Sequence, residues 1–155
     1  MNRKLIIEKA IIAEEIRNVV SKGERISIPV SGNSMNPLLV PQRDLIELGP
    51  YKDEDIRKGA IVLAKDMKGE YIIHRIMARN ADQITLMGDG NLYLKETAYI
   101  NDVVALAHSI TRKGKDWTPD SRKWKFYSWV WQFLTPIRRL PLGIWQRANR
   151  HRAIQ

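Results

Sequence analysis

The chain has 155 residues, 44% hydrophobic and 28% charged, a balance that suits one globular domain with an appendage. It contains no cysteine, which excludes disulfides, thiolate metal sites and cysteine nucleophiles. The net charge of +9 is segregated: up to Thr111 there are 15 Lys/Arg against 15 Asp/Glu, and from Arg112 onward 11 against 2. A balanced body thus carries a basic tail of the kind that meets anionic partners.

In chain order, Leu5, Ile6, Ala10, Ala13, Ile16, Val19 and Val20 recur at helical spacing between charged residues. They predict a helix over 3–22, ended by Gly23, that packs across the domain or, in the other reading, meets a partner or a membrane surface. Between 25 and 110 the pattern turns to short Ile/Val/Leu runs separated by Gly, Pro, Asn and Asp: Arg25–Val30, Leu45–Leu48, Ala60–Ala64, Tyr71–Met77, Gln83–Met87 and Val103–Ile110. Turns at Met67–Glu70 and Asn80–Asp82 set hairpin distances between runs, which argues for antiparallel pairing. Residues 112–120 read as a linker. A helix is predicted over Ser121–Leu134, broken by Pro136 and Pro141, with a last short helical stretch over Gly143–Arg150. The expected divisions are therefore an N-terminal helix (1–24), a mainly β domain (25–111), the linker (112–120) and a basic aromatic helical tail (121–155).

Three segments carry groups able to do chemistry. Ser31-Gly32-Asn33-Ser34-Met35-Asn36-Pro37 joins a strand to a polar turn. The segment reads either as a plain polar turn or as a strand end that presents a serine beside backbone N–H groups of the kind an oxyanion requires. Gly32 allows close backbone approach and Pro37 stiffens the exit. Serine needs a base to take its proton, and the histidines are His74, His108 and His151. Strand alternation puts Ile72, His74 and Ile76 on one face and Ile73, Arg75 and Met77 on the other. In Met87-Gly88-Asp89-Gly90-Asn91, Asp89 reads either as part of a tight turn or as a carboxylate that orients a histidine.

Taken together, these segments resemble the S24/S26 serine peptidases, the superfamily of signal peptidase I and LexA-type enzymes. Ser31–Pro37 resembles its nucleophile box. Lys58-Gly59-Ala60-Ile61-Val62 resembles its Lys/Arg-Gly-Asp-Ile-Val strand, with Ala60 in place of the Asp. His74-Arg75 stands where bacterial signal peptidases carry Lys-Arg and the archaeal and endoplasmic-reticulum type carries His-Arg. Gly88-Asp89-Gly90-Asn91 resembles the Gly-Asp-x-Asn box. The boxes follow one another in the family's order.

The resemblance implies a LexA/signal-peptidase-like coiled antiparallel β fold and a metal-free endopeptidase of the His-type variant. Ser34 would be the nucleophile and His74 the general base. Asp89 would support His74 or organise the site, and N–H groups around Gly32, Asn33 and Ser34 would form the oxyanion hole. Met35, Pro37, Arg75, Gly88 and Asn91 would support the motifs. An extended peptide or precursor protein would be the substrate, and no cofactor is expected. A self-cleaving repressor is disfavoured: the base is histidine, no DNA-binding domain fits ahead of the strands, and the chain contains no Ala-Gly bond. A catalytically inactive peptide-binding module on the same fold is the other reading.

The longest uncharged run of the tail, Phe126 to Ile137, is 12 residues, short of the ~20 that span a bilayer. With no signal peptide legible, the expectation is a cytoplasmic chain, peripheral at the membrane if the tail docks there. Two readings of the tail stand side by side: an interfacial helix that meets anionic lipid through Trp124, Trp129, Trp131, Arg138 and Arg139, or a helix whose aromatics pack on the β domain. Nucleic acid ranks behind both, for want of a recognisable binding motif.

Overall fold

The computed structural model describes residues 3–134, 137 and 139–148. Helix α1 (Arg3–Ser21) precedes strands β1 (Ile26–Pro29), β2 (Asp44–Gly49), β3 (Ile61–Lys65), β4 (Tyr71–Asn80), β5 (Gln83–Met87), β6 (Glu96–Tyr99), β7 (Val103–Arg112) and β8 (Lys115–Trp117). Helices α2 (Arg122–Phe133) and α3 (Arg139–Ala148) follow. The strands form one antiparallel sheet in the order β1-β2-β7-β3-β4-β5-β6, with β8 added to β7. The fold is mainly β, as the runs of β-branched residues predict.

The sheet coils far enough to bury both faces of its middle strand. On β3, Ile61 and Leu63 join a core formed with Ala13 and Ile16 of α1, Met35, Leu38 and Leu39 of the β1–β2 loop, and Trp124 of α2. Val62 and Ala64 of the same strand enter a second core with Ile76, Ile84, Leu86 and Ala98. α1 ends as predicted, with Gly23 at φ 79° donating its N–H to Val20 O at 2.9 Å.

Two strands were not legible in the sequence. β6 is four residues long and lacks an apolar alternation. β8 lies inside the stretch expected to be a linker: Arg112 pairs with Lys115 across a two-residue turn in which Lys113 and Gly114 both have positive φ (51° and 71°). That geometry matches the right-handed twist of a hairpin, so residues 112–117 extend the sheet instead of leaving it. α3 begins earlier than expected and runs through Pro141.

Residue spacing also could not say which side of α2 faces inward. Of the two readings of the tail, packing on the β domain holds for Trp124 and Trp131, which are buried and so leave the set of lipid-facing residues, whereas Trp129 is exposed. Trp131 Nε1 donates to Asp89 O at 2.9 Å, and Tyr127 stacks on the Trp131 ring at 5.6 Å. The side chains of Arg138 and Arg139 lie outside the described residues.

Candidate active site

The β1–β2 loop is anchored by its apolar residues and closed by its polar ones. Met35, Leu38 and Leu39 are buried, which holds the exposed stretch Ser31-Gly32-Asn33 at the surface and Ser34 half-buried between them. Asn36 N–H donates to Asn33 O at 3.1 Å, and Asn36 Nδ2 donates to Asn33 Oδ1 at 3.0 Å. Gly32 is needed for conformation (φ 80°), with open space where a Cβ would stand. Pro37 follows a cis peptide bond.

The segment after β5 docks onto this loop. Gly90 N–H donates to Ser34 O at 2.7 Å, Asn91 N–H donates to Gly88 O at 3.0 Å, and Asp89 N–H points at Met35 Sδ at 3.4 Å. The approach is too close for side chains. A Cβ on Gly90 would lie 2.7 Å from Asn33 O. A Cβ on Gly88 would lie 3.0 Å from both His74 Nε2 and Asn91 Nδ2, and nearer still to Ser34 O. The Ser34 backbone, the His74 ring and Asn91 therefore converge on Gly88. The two glycines are what let the loops meet.

His74 reaches this point through strand register. Ile76, Leu86 and Glu96 are cross-strand partners on β4, β5 and β6, so they share a face, and His74, two residues before Ile76, shares it too. Glu96 Oε2 lies 3.1 Å from His74 Nδ1, with both side chains nearly buried. A carboxylate there selects the tautomer with the proton on Nδ1 and leaves the Nε2 lone pair for another proton. Nε2 makes no hydrogen bond among the described residues, and Asn36 Oδ1 is the one sealed polar side-chain atom without a partner among them. Nε2 is thus not sealed from solvent, and it lies beside Gly88. Burial pulls the His74 pKa below its ordinary 6.5, while Glu96, and beyond it Asp89 and Asp66, pull it up without overcoming that effect. The imidazole is accordingly neutral at pH 7, the state a general base requires.

The carboxylate that holds His74 is Glu96 and not Asp89, which corrects one of the two roles expected for Asp89. Asp89 lies beneath the site in a buried pair: Arg75 Nε donates to Oδ1 at 2.8 Å and Arg75 Nη2 to Oδ2 at 2.7 Å, with neither side chain exposed. The remaining Arg75 nitrogen, Nη1, donates to Gly59 O at 2.9 Å and to Ser128 Oγ at 3.0 Å. Burial opposes the Arg75 charge, and Asp89 more than restores it. Consecutive residues on β4 thus serve opposite faces, His74 toward Ser34 and Arg75 toward the loop that braces Ser34. Asp89 is thus paired with Arg75 in the segment whose Gly90 N–H bonds to Ser34 O.

Glu96, Tyr127 and Ser128 escaped sequence reasoning about the site, and Gly90 entered it only as the variable position of the Gly-Asp-x-Asn box. The signal for Glu96 would have been its register with Ile76, which needs β6 to be known first. His108 belongs elsewhere: its Nε2 lies 2.8 Å from Pro50 O, a backbone tie. His151 lies outside the described residues. At the Lys58–Val62 segment, Gly59 N–H donates to Ile76 O and Ile76 N–H to Ala60 O, each at 2.8 Å. Ala60 therefore serves the ladder through its backbone, whatever its side chain.

Ser34 Oγ makes no hydrogen bond with any described residue, His74 included. The N–H groups of Asn33 and Ser34 likewise have no acceptor among the described residues, so both remain available to a ligand. Comparison with models of known protein families finds no match, and none of the curated proteins compared matches the sequence.

Proposed function

We propose that this chain is a serine endopeptidase in which Ser34 is the nucleophile, His74 the general base and Glu96 the carboxylate that orients His74. The observation that carries the reading is the convergence at Gly88 of the Ser34 backbone and a neutral His74 whose open nitrogen, Nε2, faces the same point.

The chemistry follows from the groups. As Ser34 Oγ bonds to the scissile carbonyl carbon, its proton passes to Nε2, and the imidazolium so formed is stabilised by Glu96 through Nδ1–H. The carbonyl oxygen becomes an oxyanion, which the unpaired N–H groups of Asn33 and Ser34 can receive. Collapse breaks the C–N bond, and Nε2 returns the proton to the leaving amine. A water then attacks the acyl ester, gives one proton to Nε2 and releases the acid, and Ser34 Oγ recovers that proton. β1 is an outer strand that runs directly into the Ser34 loop, so it offers an extended substrate a main-chain edge to pair with.

A non-catalytic peptide-binding module is favoured by one observation, the missing Ser34–His74 hydrogen bond, although such bonds often tighten only when substrate is present. A fluorophosphonate probe followed by intact-protein mass measurement separates the two. The peptidase reading expects one adduct on Ser34, lost in Ser34→Ala and in His74→Ala. A folded wild-type chain that takes no adduct refutes it.

A further inference from the structure

The inner face of α2 is occupied by Trp124, Tyr127 and Trp131, yet the helix is aromatic on its outer face too. Phe126, Trp129 and Phe133 recur at i, i+3 and i+7, which places them along one stripe, and each is between 65% and 71% exposed. Trp129 and Phe133 stack on each other at 5.9 Å, with the pair facing solvent. α3 repeats the arrangement: Leu142 is buried while Leu140 and Ile144 are each 69% exposed. No described residue covers these side chains. Because the inner face of α2 is already fixed to the β domain, the helix cannot turn to hide them.

Charge selects the occupant. Arg122, Lys123 and Lys125, at the start of α2, are exposed, and Asp120 approaches Lys125 only to 3.7 Å. The sequence from Arg112 onward holds 11 basic residues against 2 acidic ones. A second copy of the chain would bring the same sign of charge to the same face. An apolar stripe of Trp, Phe, Leu and Ile bordered by Lys and Arg matches the boundary between acyl chains and anionic headgroups. We infer that the outer face of α2 and α3 is a docking surface for anionic lipid bilayers, on which the helices lie in the plane of the interface. Among the described residues no helix is long and apolar enough to cross a membrane. The inference does not rest on the peptidase reading, since neither Ser34 nor His74 belongs to this face.

The test is co-sedimentation of the full chain with phosphatidylcholine vesicles, with and without phosphatidylglycerol, at low and high salt. Binding is expected on the anionic vesicles, weakened by salt and much weaker on pure phosphatidylcholine. The double variant Trp129→Ser/Phe133→Ser should lose at least about tenfold in affinity, because each ring forfeits its burial in the interface. It should keep the wild-type urea midpoint and wild-type Ser34 labelling. Three results would each overturn the inference: no pelleting with anionic vesicles, equal pelleting by the double variant, or a wild-type dimer that the double variant dissolves.

Discussion

Removing the negative charge of Asp89 gives the largest stability effect that the site geometry implies. In Asp89→Asn the side chain keeps its size, but Arg75 is left as a guanidinium with no exposed surface and no counter-charge. Of the two carboxylate bonds at 2.7 and 2.8 Å, one acceptor becomes an NH2 group that faces an Arg75 N–H, and the amide Oδ1, Gly59 O and Ser128 Oγ remain as neutral partners. Breaking a buried pair from one side costs about 3–5 kcal/mol, a large part of the ~5–15 kcal/mol that holds a domain together. Urea unfolding followed by tryptophan fluorescence should therefore show the midpoint fall with an unchanged slope. The double variant Arg75→Met/Asp89→Leu should recover part of the loss, because it removes both charges from the interior. A loss below about 1 kcal/mol in Asp89→Asn would refute the assignment of Asp89 to the scaffold. So would a double variant no more stable than the single.

Glu96→Gln should leave stability within about 1 kcal/mol but slow Ser34 labelling, and it should move the acid limb of the labelling rate to lower pH, because the carboxylate that raises the His74 pKa is gone; a limb that stays put would remove Glu96 from its positioning role. Gly88→Ala should lower Ser34 labelling by roughly 100-fold, since the added Cβ displaces the Ser34 backbone or the His74 ring from their common point; retained labelling would show that the contact is dispensable. Trp131→Ala should cost about 3–5 kcal/mol, whereas Trp129→Ala, one helical face away, should change stability by no more than about 0.5 kcal/mol, both read from urea midpoints.

Where sequence signals and physical constraints coincided, the fold could be read in advance. Alternation along Tyr71–Met77 separated His74 from Arg75, and the structure sends them to opposite faces. The hairpin turn at Met67–Glu70 is present, with Asp66 Oδ1 accepting from Lys68 N–H at 2.9 Å and Glu70 N–H at 2.8 Å. What could not be read depends on neighbours that local pattern does not encode. Glu-Thr-Ala-Tyr at 96–99 acquires strand character from pairing with β5, so Glu96 could not be joined to His74 before that pairing was known. Two candidate carboxylates followed the same strand. Arg75 captured Asp89 on one face, which left the other face to Glu96. α2 is aromatic around most of its circumference, and only docking against Asp89 and Gly59 decides which rings are core and which are surface.

The central claim is that a neutral His74 activates Ser34, and the pH dependence of the Ser34 labelling rate tests it most directly. His74 has a pKa below 6.5 in the folded chain, so above that pKa it is unprotonated and able to accept the Ser34 proton. The rate should be flat around neutrality and fall as pH drops through a single limb below 6.5, with both limb and labelling lost in His74→Ala. A rate that climbs steadily with pH and is the same in His74→Ala would contradict the account, because Ser34 would then be reacting without its base.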